Sequence, residues 1–300
     1  MQPLLKGIVD YAGLFPPAQL DMQTATQNFA QYRASDDDWI LGRFVVPLAR
    51  LSEFESAATA IAGQEVWPLS VLVSGPTGNG ETFHEALKQI TEFNSRQNIF
   101  LIDSVETKLD DVNATQNVAN SELPTSIRFF WEVANVPNIQ ESVKVIAAFR
   151  GNHAAKIRTG SVNADQIPSA KIVAEFIFAC VQNGTPFKAT AGLHHPLRGD
   201  YRLTYEEDSK CGTMFGFLNV FVAALCAHNH RLQVEQIADI LQSNEPQKFV
   251  VSADETGWGE WTVDTSTVAK LRDSFCISFG SCSFREPVDE FNELQFSGIA

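Results

Sequence analysis

Two lysines, Lys156 and Lys188, each end a short run of small or apolar residues, with one helical segment between them. Two ammonium groups held side by side repel, so one of them surrenders its proton more easily. A fall from the ordinary ~10.4 to roughly 7–8 would leave a useful fraction of free amine at neutral pH. Such an amine attacks a carbonyl carbon and forms a Schiff base, whose iminium form draws electrons from the adjacent carbon–carbon bond. The competing reading pairs both lysines with Asp10, Asp103 or Glu132 in a purely structural network, and spacing alone does not choose between the two. Arg158 lies two positions beyond Lys156 and therefore on the same side of an extended strand. Its guanidinium is suited to a substrate carboxylate.

Other residue types invite chemistry more weakly. His194 and His195 suggest a divalent metal. Neighbours on an extended chain point to opposite sides, so a site would use one of them, with Asp103 or Glu132 supplying oxygen. The alternative is a substrate-facing or loop-capping histidine. His228 and His230 close an apolar segment, where cations suit a helix C-terminus. Cys282 stands in a turn of small residues, but no histidine can be named as its partner, which favours a buried thiol. The run from Gly75 to Gly80 is glycine-rich yet lacks the Lys-Ser/Thr ending of a phosphate-binding loop.

The elements that position these groups follow from periodicity. Short apolar, β-branched runs at 7–11, 41–46, 69–73, 99–102, 127–131, 155–158, 187–190 and 278–281 alternate with segments of helical period at 21–32, 52–61, 81–93, 139–149 and 169–181. Eight strands separated by helices predict an α/β fold, a (β/α)8 TIM barrel forming one domain over residues 1–300. The rhythm breaks between strands seven and eight, where residues 197–275 are far longer than one crossover and read as an insertion, a lid or a subunit contact. Within it the pattern predicts helices at 212–227 and 234–241, and a hairpin pairing 249–252 with 261–263 across Gly257 and Gly259. The acidic tail after Pro287 is expected to cap the barrel.

Composition narrows the classes of partner. At 44% hydrophobic and 19% charged residues, the 300-residue chain has the make-up of a protein with a large core. A formal net charge of −14 argues against a nucleic-acid surface, which needs basic patches to neutralise phosphates. Five cysteines without a C-x-x-C pair suggest reduced thiols and a cytoplasmic setting. The most apolar stretch, 214–227, is too short to span a bilayer, and no signal peptide is expected. No membrane partner, cofactor or metal is expected, whereas self-association into a homo-oligomer is left open.

The wording around the lysines adds a resemblance. Ala155-Lys156-Ile157-Arg158-Thr159-Gly160 is similar to the K-x-x-T-G strand of the deoxyribose-phosphate aldolase family. Phe187-Lys188-Ala189-Thr190-Ala191-Gly192-Leu193 resembles that family's next strand. In matching order, Ile8 to Ala18 resembles its first strand, Val71 to Gly78 its third, Leu101 to Val105 its fourth and Phe279 to Ser283 its eighth.

This resemblance implies a class I aldolase. Lys156 would be the Schiff-base nucleophile, Lys188 the cation that depresses its pKa, and Asp103 the acid/base. Asp10, Glu132, Arg158, Thr159, Gly160, Thr190, Gly192, His194, His195, Gly280, Ser281 and Ser283 would contact the substrate. Two features depart from the family. Ala191-Gly192 replaces its Gly-Gly pair, and Arg158 stands where a small residue is usual. Both point away from deoxyribose phosphate, towards a lyase for another small anionic carbonyl compound, either a carbonyl or a carboxylate substrate. A metal-dependent hydrolase or lyase using His194 or His195 and a non-enzymatic barrel remain the alternatives.

Overall fold

The computed structural model describes residues 2–77, 80–109, 111–133 and 138–294. Gly78 and Asn79 of the glycine-rich loop, and the tail at 295–300, lie outside them. Helix α1 (Gln2–Leu5) leads into strand β1 (Val9–Tyr11). Helix and strand then alternate through α2 (Met22–Arg33), β2 (Leu41–Pro47), α3 (Leu51–Ala58), β3 (Trp67–Leu72), α4 (Glu81–Arg96) and β4 (Phe100–Lys108). The alternation continues with α5 (Val112–Ala119), β5 (Arg128–Glu132), α6 (Ile139–Ala147), β6 (His153–Arg158), α7 (Ala170–Asn183) and β7 (Phe187–Thr190). After a longer excursion, β13 (Cys276–Ser281) completes the sheet and α11 (Arg285–Glu293) follows it.

These eight strands, in the order β1-β13-β7-β6-β5-β4-β3-β2, close into a parallel barrel. The expected (β/α)8 architecture is therefore present. Closure depends on β1 sitting between β2 and β13, with Asp10 opposite Gly280. Buried Arg272, on the helix before β13, braces this seam by donating to the carbonyls of Leu4, Lys6, Cys276 and Ile277. The helix starts carry the local signals their sequences promise. Asp21, Asp111 and Ser169 each accept a backbone N–H from the first turn of α2, α5 and α7.

Strand β4 runs six residues past the expected end at 102. Its register with β3 skips one residue: Leu69 faces Ile102, but Ser70 faces Ser104, leaving Asp103 as a bulge. Beyond the bulge, the Ser70 hydroxyl meets both Ser104 and Glu106 inside the barrel. In the polar run Asp103-Ser104-Val105-Glu106-Thr107-Lys108, the alternate residues Ser104, Glu106 and Lys108 thus face inward. That inverts the pattern by which strands are usually read, because barrel interiors are usually filled by Val, Ile and Leu.

The stretch 197–275 divides into three parts. A ribbon of β8 (Gly199–Arg202) and β9 (Cys211–Met214) comes first. Helix α8 (Phe217–His230), expected to start at 212, begins only after β9. It packs as a layer helix against the barrel, with Phe217 stacked on Phe279 and Phe221 against Phe187 and Phe279. Only part of this stretch is therefore additional to the barrel. Helix α9 (Val234–Gln242) and a small antiparallel sheet of β10 (Phe249–Val251), β11 (Glu255–Trp258) and β12 (Trp261–Asp264) lie on α8 and lead into α10 (Thr265–Ser274).

The hairpin expected between 249–252 and 261–263 is corrected here. Strand β11 intervenes and pairs with both, and the tight turn is at Gly259, whose φ of +58° suits glycine. Among the described residues, no helix is long and apolar enough to cross a membrane.

Candidate active site

Five charged side chains from five strands meet inside the barrel. Glu106 of β4 is the hub: Oε2 lies 2.7 Å from Lys156 Nζ, and Oε1 accepts from Lys188 Nζ at 2.6 Å and from Ser70 Oγ at 2.7 Å. Lys156 also reaches Glu132 Oε2 at 2.8 Å. Lys188 donates to Asp10 Oδ2 at 2.5 Å, an oxygen that also accepts from Ser278 Oγ at 2.7 Å. Asp10 Oδ1 accepts the backbone N–H of Arg43. Strand pairing explains the assembly: Lys156 stands beside Lys188 across β6 and β7, and beside Glu132 across β5 and β6. Three carboxylates thus surround two ammonium groups, and Lys188 additionally lies over the face of Phe130.

The electrostatics differ from the bare lysine pair read in the sequence. Burial alone would push the Glu106 carboxyl up, but the Lys156 and Lys188 ammonium groups hold it far below the usual carboxylate range. Burial favours neutral Lys156, yet the Glu106 and Glu132 carboxylates outweigh it and raise its pKa. The expected depression of Lys156 is therefore replaced by a rise, because Glu106 stands between the two lysines and offsets their repulsion. At rest Lys156 is an ammonium ion.

The network opens upward into a cavity of about 710 Å³ at the C-terminal ends of the strands. Its lining includes Glu106, Glu132, Lys156, Arg158, Thr190, Gly192, His194 and Gly280, with Leu203 and Met214 contributed by the ribbon side. Lys188 and Asp10 are fully buried beneath it and hold the network from behind. Arg158 and Lys108 both line the cavity, and neither side chain has a partner among the described residues. Each sits two residues above a member of the network on its own strand, Lys156 and Glu106 respectively, so the pocket is cationic towards its mouth.

Two glycines fix the shape of this mouth. A Cβ on Gly160 would lie 2.6 Å from the Gly192 Cα, so the loops after β6 and β7 touch backbone to backbone. Gly192 itself has a φ of +74°. Thr159 ties the same loops together, its hydroxyl donating to the Ala191 carbonyl at 2.7 Å. Thr159 is therefore a bracing residue.

Several residues expected at the site lie elsewhere. Asp103 is a correction: it forms a two-pronged pair with Arg43, at 2.6 and 2.8 Å, and is absent from the cavity wall. The bulge and the added length of β4 put Glu106 in the position that the early strand end had given to Asp103.

His195 also turns away. Its ring stacks on Tyr201, and Nδ1 meets Glu290 at 2.8 Å, while burial keeps its pKa low despite that carboxylate. Ser281 Oγ lies 3.3 Å from His194 Nδ1, and Ser283 Oγ accepts the Glu286 backbone N–H at the start of α11. His194 faces Glu286 and Cys282. Burial would lower its pKa, but these two partners raise it to about 10, so it is imidazolium at neutral pH. Among the described residues, no three His, Cys, Asp or Glu side chains gather as metal ligands.

Sequence reading missed Glu106, Lys108 and the His194–Cys282 contact. For the first two, the signal was present as a polar residue at every second position from Ser104 to Lys108. The third joins loops distant in the chain and had no local signal. Chemically, the arrangement supplies a cavity-facing lysine between two carboxylates and cations at the rim. No protein-family model matches the chain, and no curated protein matches it.

Proposed function

We propose that this protein is a class I aldolase-like lyase acting on a small anionic carbonyl compound. The observation that carries the reading is Lys156, a cavity-floor ammonium held between Glu106 and Glu132 at 2.7 and 2.8 Å. Glu106 already serves two lysines and Ser70, whereas among the described residues Lys156 is the one side-chain partner of the Glu132 carboxylate, which also opens onto the cavity. Glu132 is thus the better acceptor for the Lys156 proton.

With that proton moved, the amine adds to the substrate carbonyl. A carbinolamine forms and then loses water to give an iminium ion. The iminium accepts the electron pair of the Cα–Cβ bond as it breaks and becomes an enamine, while a base takes the proton of the β-hydroxyl, whose oxygen becomes the carbonyl oxygen of the departing aldehyde. Protonation of the enamine and hydrolysis of the iminium by water then release the second product and the Lys156 amine. Arg158 and Lys108 would bind the carboxylate or phosphate of the substrate. The order of strand motifs, which resembles the deoxyribose-phosphate aldolase family, supports the same reading.

The ion pairs also favour a second reading, in which the network only braces the barrel. Borohydride trapping with a panel of 2-oxo acids and hydroxyaldehydes separates the two. The first reading expects a reduced adduct at Lys156, located by peptide mass spectrometry and absent in Lys156→Ala. If no carbonyl gives an adduct and none raises the melting temperature, the second reading stands and the first falls.

A further inference from the structure

Cys282, which the proposed chemistry does not use, has polar neighbours from two other parts of the chain. Its Sγ lies 3.9 Å from His194 Nδ1, 4.0 Å from His194 Nε2 and 3.7 Å from the Tyr205 hydroxyl. His194 follows β7, Tyr205 belongs to the turn between β8 and β9, and Cys282 directly follows β13. Glu286, in the first turn of α11, completes the cluster. Its Oε2 lies 3.5 Å from His194 Nδ1 and accepts from the Tyr205 hydroxyl at 2.8 Å. The other titratable groups facing the cluster are Tyr11 of β1 and His195.

The remaining cysteines are placed differently. Cys211 is exposed, and burial pushes the thiols of Cys180, Cys226 and Cys276 up, the last two to about 12 and 11. Cys282 differs from all of these because both it and its histidine line the 710 Å³ cavity.

We propose that Cys282 is a reactive thiol, set against the His194 ring on the cavity wall, and that it takes a small disulfide admitted by the cavity. A cation beside a thiol favours the thiolate, which is the attacking species in thiol–disulfide exchange. Cys282 is only 5% exposed and is approached through the cavity, so low-molecular-weight disulfides fit and a protein disulfide does not. The Cys282 thiolate attacks one sulfur of the disulfide and forms a new S–S bond. The original S–S bond breaks, and its electron pair leaves with the second sulfur, which takes a proton from His194 or from water. One disulfide is exchanged for another, so no further oxidant is needed. The retained half of the reagent then occupies the cavity above Lys156 and closes it to other ligands. The reaction at Cys282 is independent of the Schiff-base reading, since it needs only the cavity, the thiol and His194.

The test is to incubate the full-length native protein with hydroxyethyl disulfide between pH 5 and 9, following each cysteine by peptide mass spectrometry. Exposed Cys211 serves as the internal reference. An ordinary thiol near pKa 8.5 is only ~0.3% thiolate at pH 6, so Cys282 is expected to react there at least roughly tenfold faster than Cys211. In His194→Gln the Cys282 rate at pH 6 should fall by about that factor, with the pH–rate curve moving to higher pH. Dithiothreitol should reverse the modification. The comparison of Cys282 with Cys211 in the unmutated protein keeps the test valid if the variant folds poorly. Labelling of Cys211 first, with Cys282 reacting only in urea, would overturn the proposal. So would a Cys282 rate that a folded His194→Gln variant leaves unchanged.

Discussion

Glu106 and Glu132 touch the same lysine, yet their surroundings assign them different work. Glu106 is buried and compensates two ammonium groups at once, so replacing it with glutamine leaves Lys156 and Lys188 close together with less charge between them. Removing one partner of a buried ion pair typically costs about 3–5 kcal/mol. Glu106→Gln is expected to lose stability on that scale, measured by urea unfolding at pH 7. Glu132 opens onto the cavity, and its expected effect is on the reaction. Glu132→Gln should slow formation of the borohydride-trapped adduct by roughly 10²–10⁴-fold, the usual worth of a positioned acid/base. Equal adduct rates in the variant and the parent would remove Glu132 from the mechanism. The pKa of Lys156 connects the two residues: with both carboxylates in place the amine is charged at rest, so the proposed chemistry requires its proton to move before it can attack a carbonyl.

The mouth of the barrel is built from loops that touch, and its precision depends on elements far apart in sequence. Gly160→Ala places a methyl group 2.6 Å from the Gly192 backbone, which cannot step aside as a side chain could. A loss of about 1–3 kcal/mol is expected, together with weaker ligand-induced protection against thermal unfolding. Unchanged stability would show that these two loops can separate freely. Asn219 plays the corresponding part on the outer layer. Fully buried in α8, its side chain accepts the Arg198 N–H at 2.8 Å and donates to the carbonyls of Ile240 and Ser243 at 2.8 and 2.7 Å. It thereby ties the ribbon approach and the end of α9 to one helix. Asn219→Ala leaves these groups without partners at about 1–3 kcal/mol for each buried one. Hydrogen exchange should show the loss concentrated in α9 and the β8–β9 ribbon.

For the molecule as a whole, the buried ionisable groups set a pH window of stability. Glu106 has a lowered folded pKa, so its contribution is present above its ordinary value of 4.5 and is lost as acid brings its protonation. Lys156 has a raised folded pKa, so its contribution is complete below its ordinary 10.5 and is lost above that value. His194 acts within these limits. Its contribution is complete below the ordinary 6.5 and is lost as pH rises through about 10. Unfolding free energy is therefore expected to be greatest between about pH 5 and 6.5, to decline gradually towards pH 10, and to fall steeply in acid. In His194→Gln the decline between pH 6.5 and 10 should flatten, and a slope equal to the parent's would show that His194 is not ionised in the folded state.

The sequence by itself determined the barrel, because parallel strands wrapped by helices leave a repeating hydrophobic signature in each βα unit. It also pointed to Lys156 and Arg158, whose two-residue spacing along β6 keeps them on one face, and to Glu132 at the end of β5. It did not determine which acid completes the site. Asp103 and Glu106 are three residues apart in one polar run, and a single bulged residue decides which of them faces the lysines. That bulge is set by pairing with Ser70 on β3, a long-range match with no local signature. The same limit applies to Lys156. A pair of lysines in a sequence implies mutual repulsion, but only closure of the barrel brings Glu106 between them, with Glu132 beside Lys156 and Asp10 beside Lys188, and reverses the sign of the effect. Cys282 and His194 likewise belong to loops after different strands, and only the closed barrel brings them together.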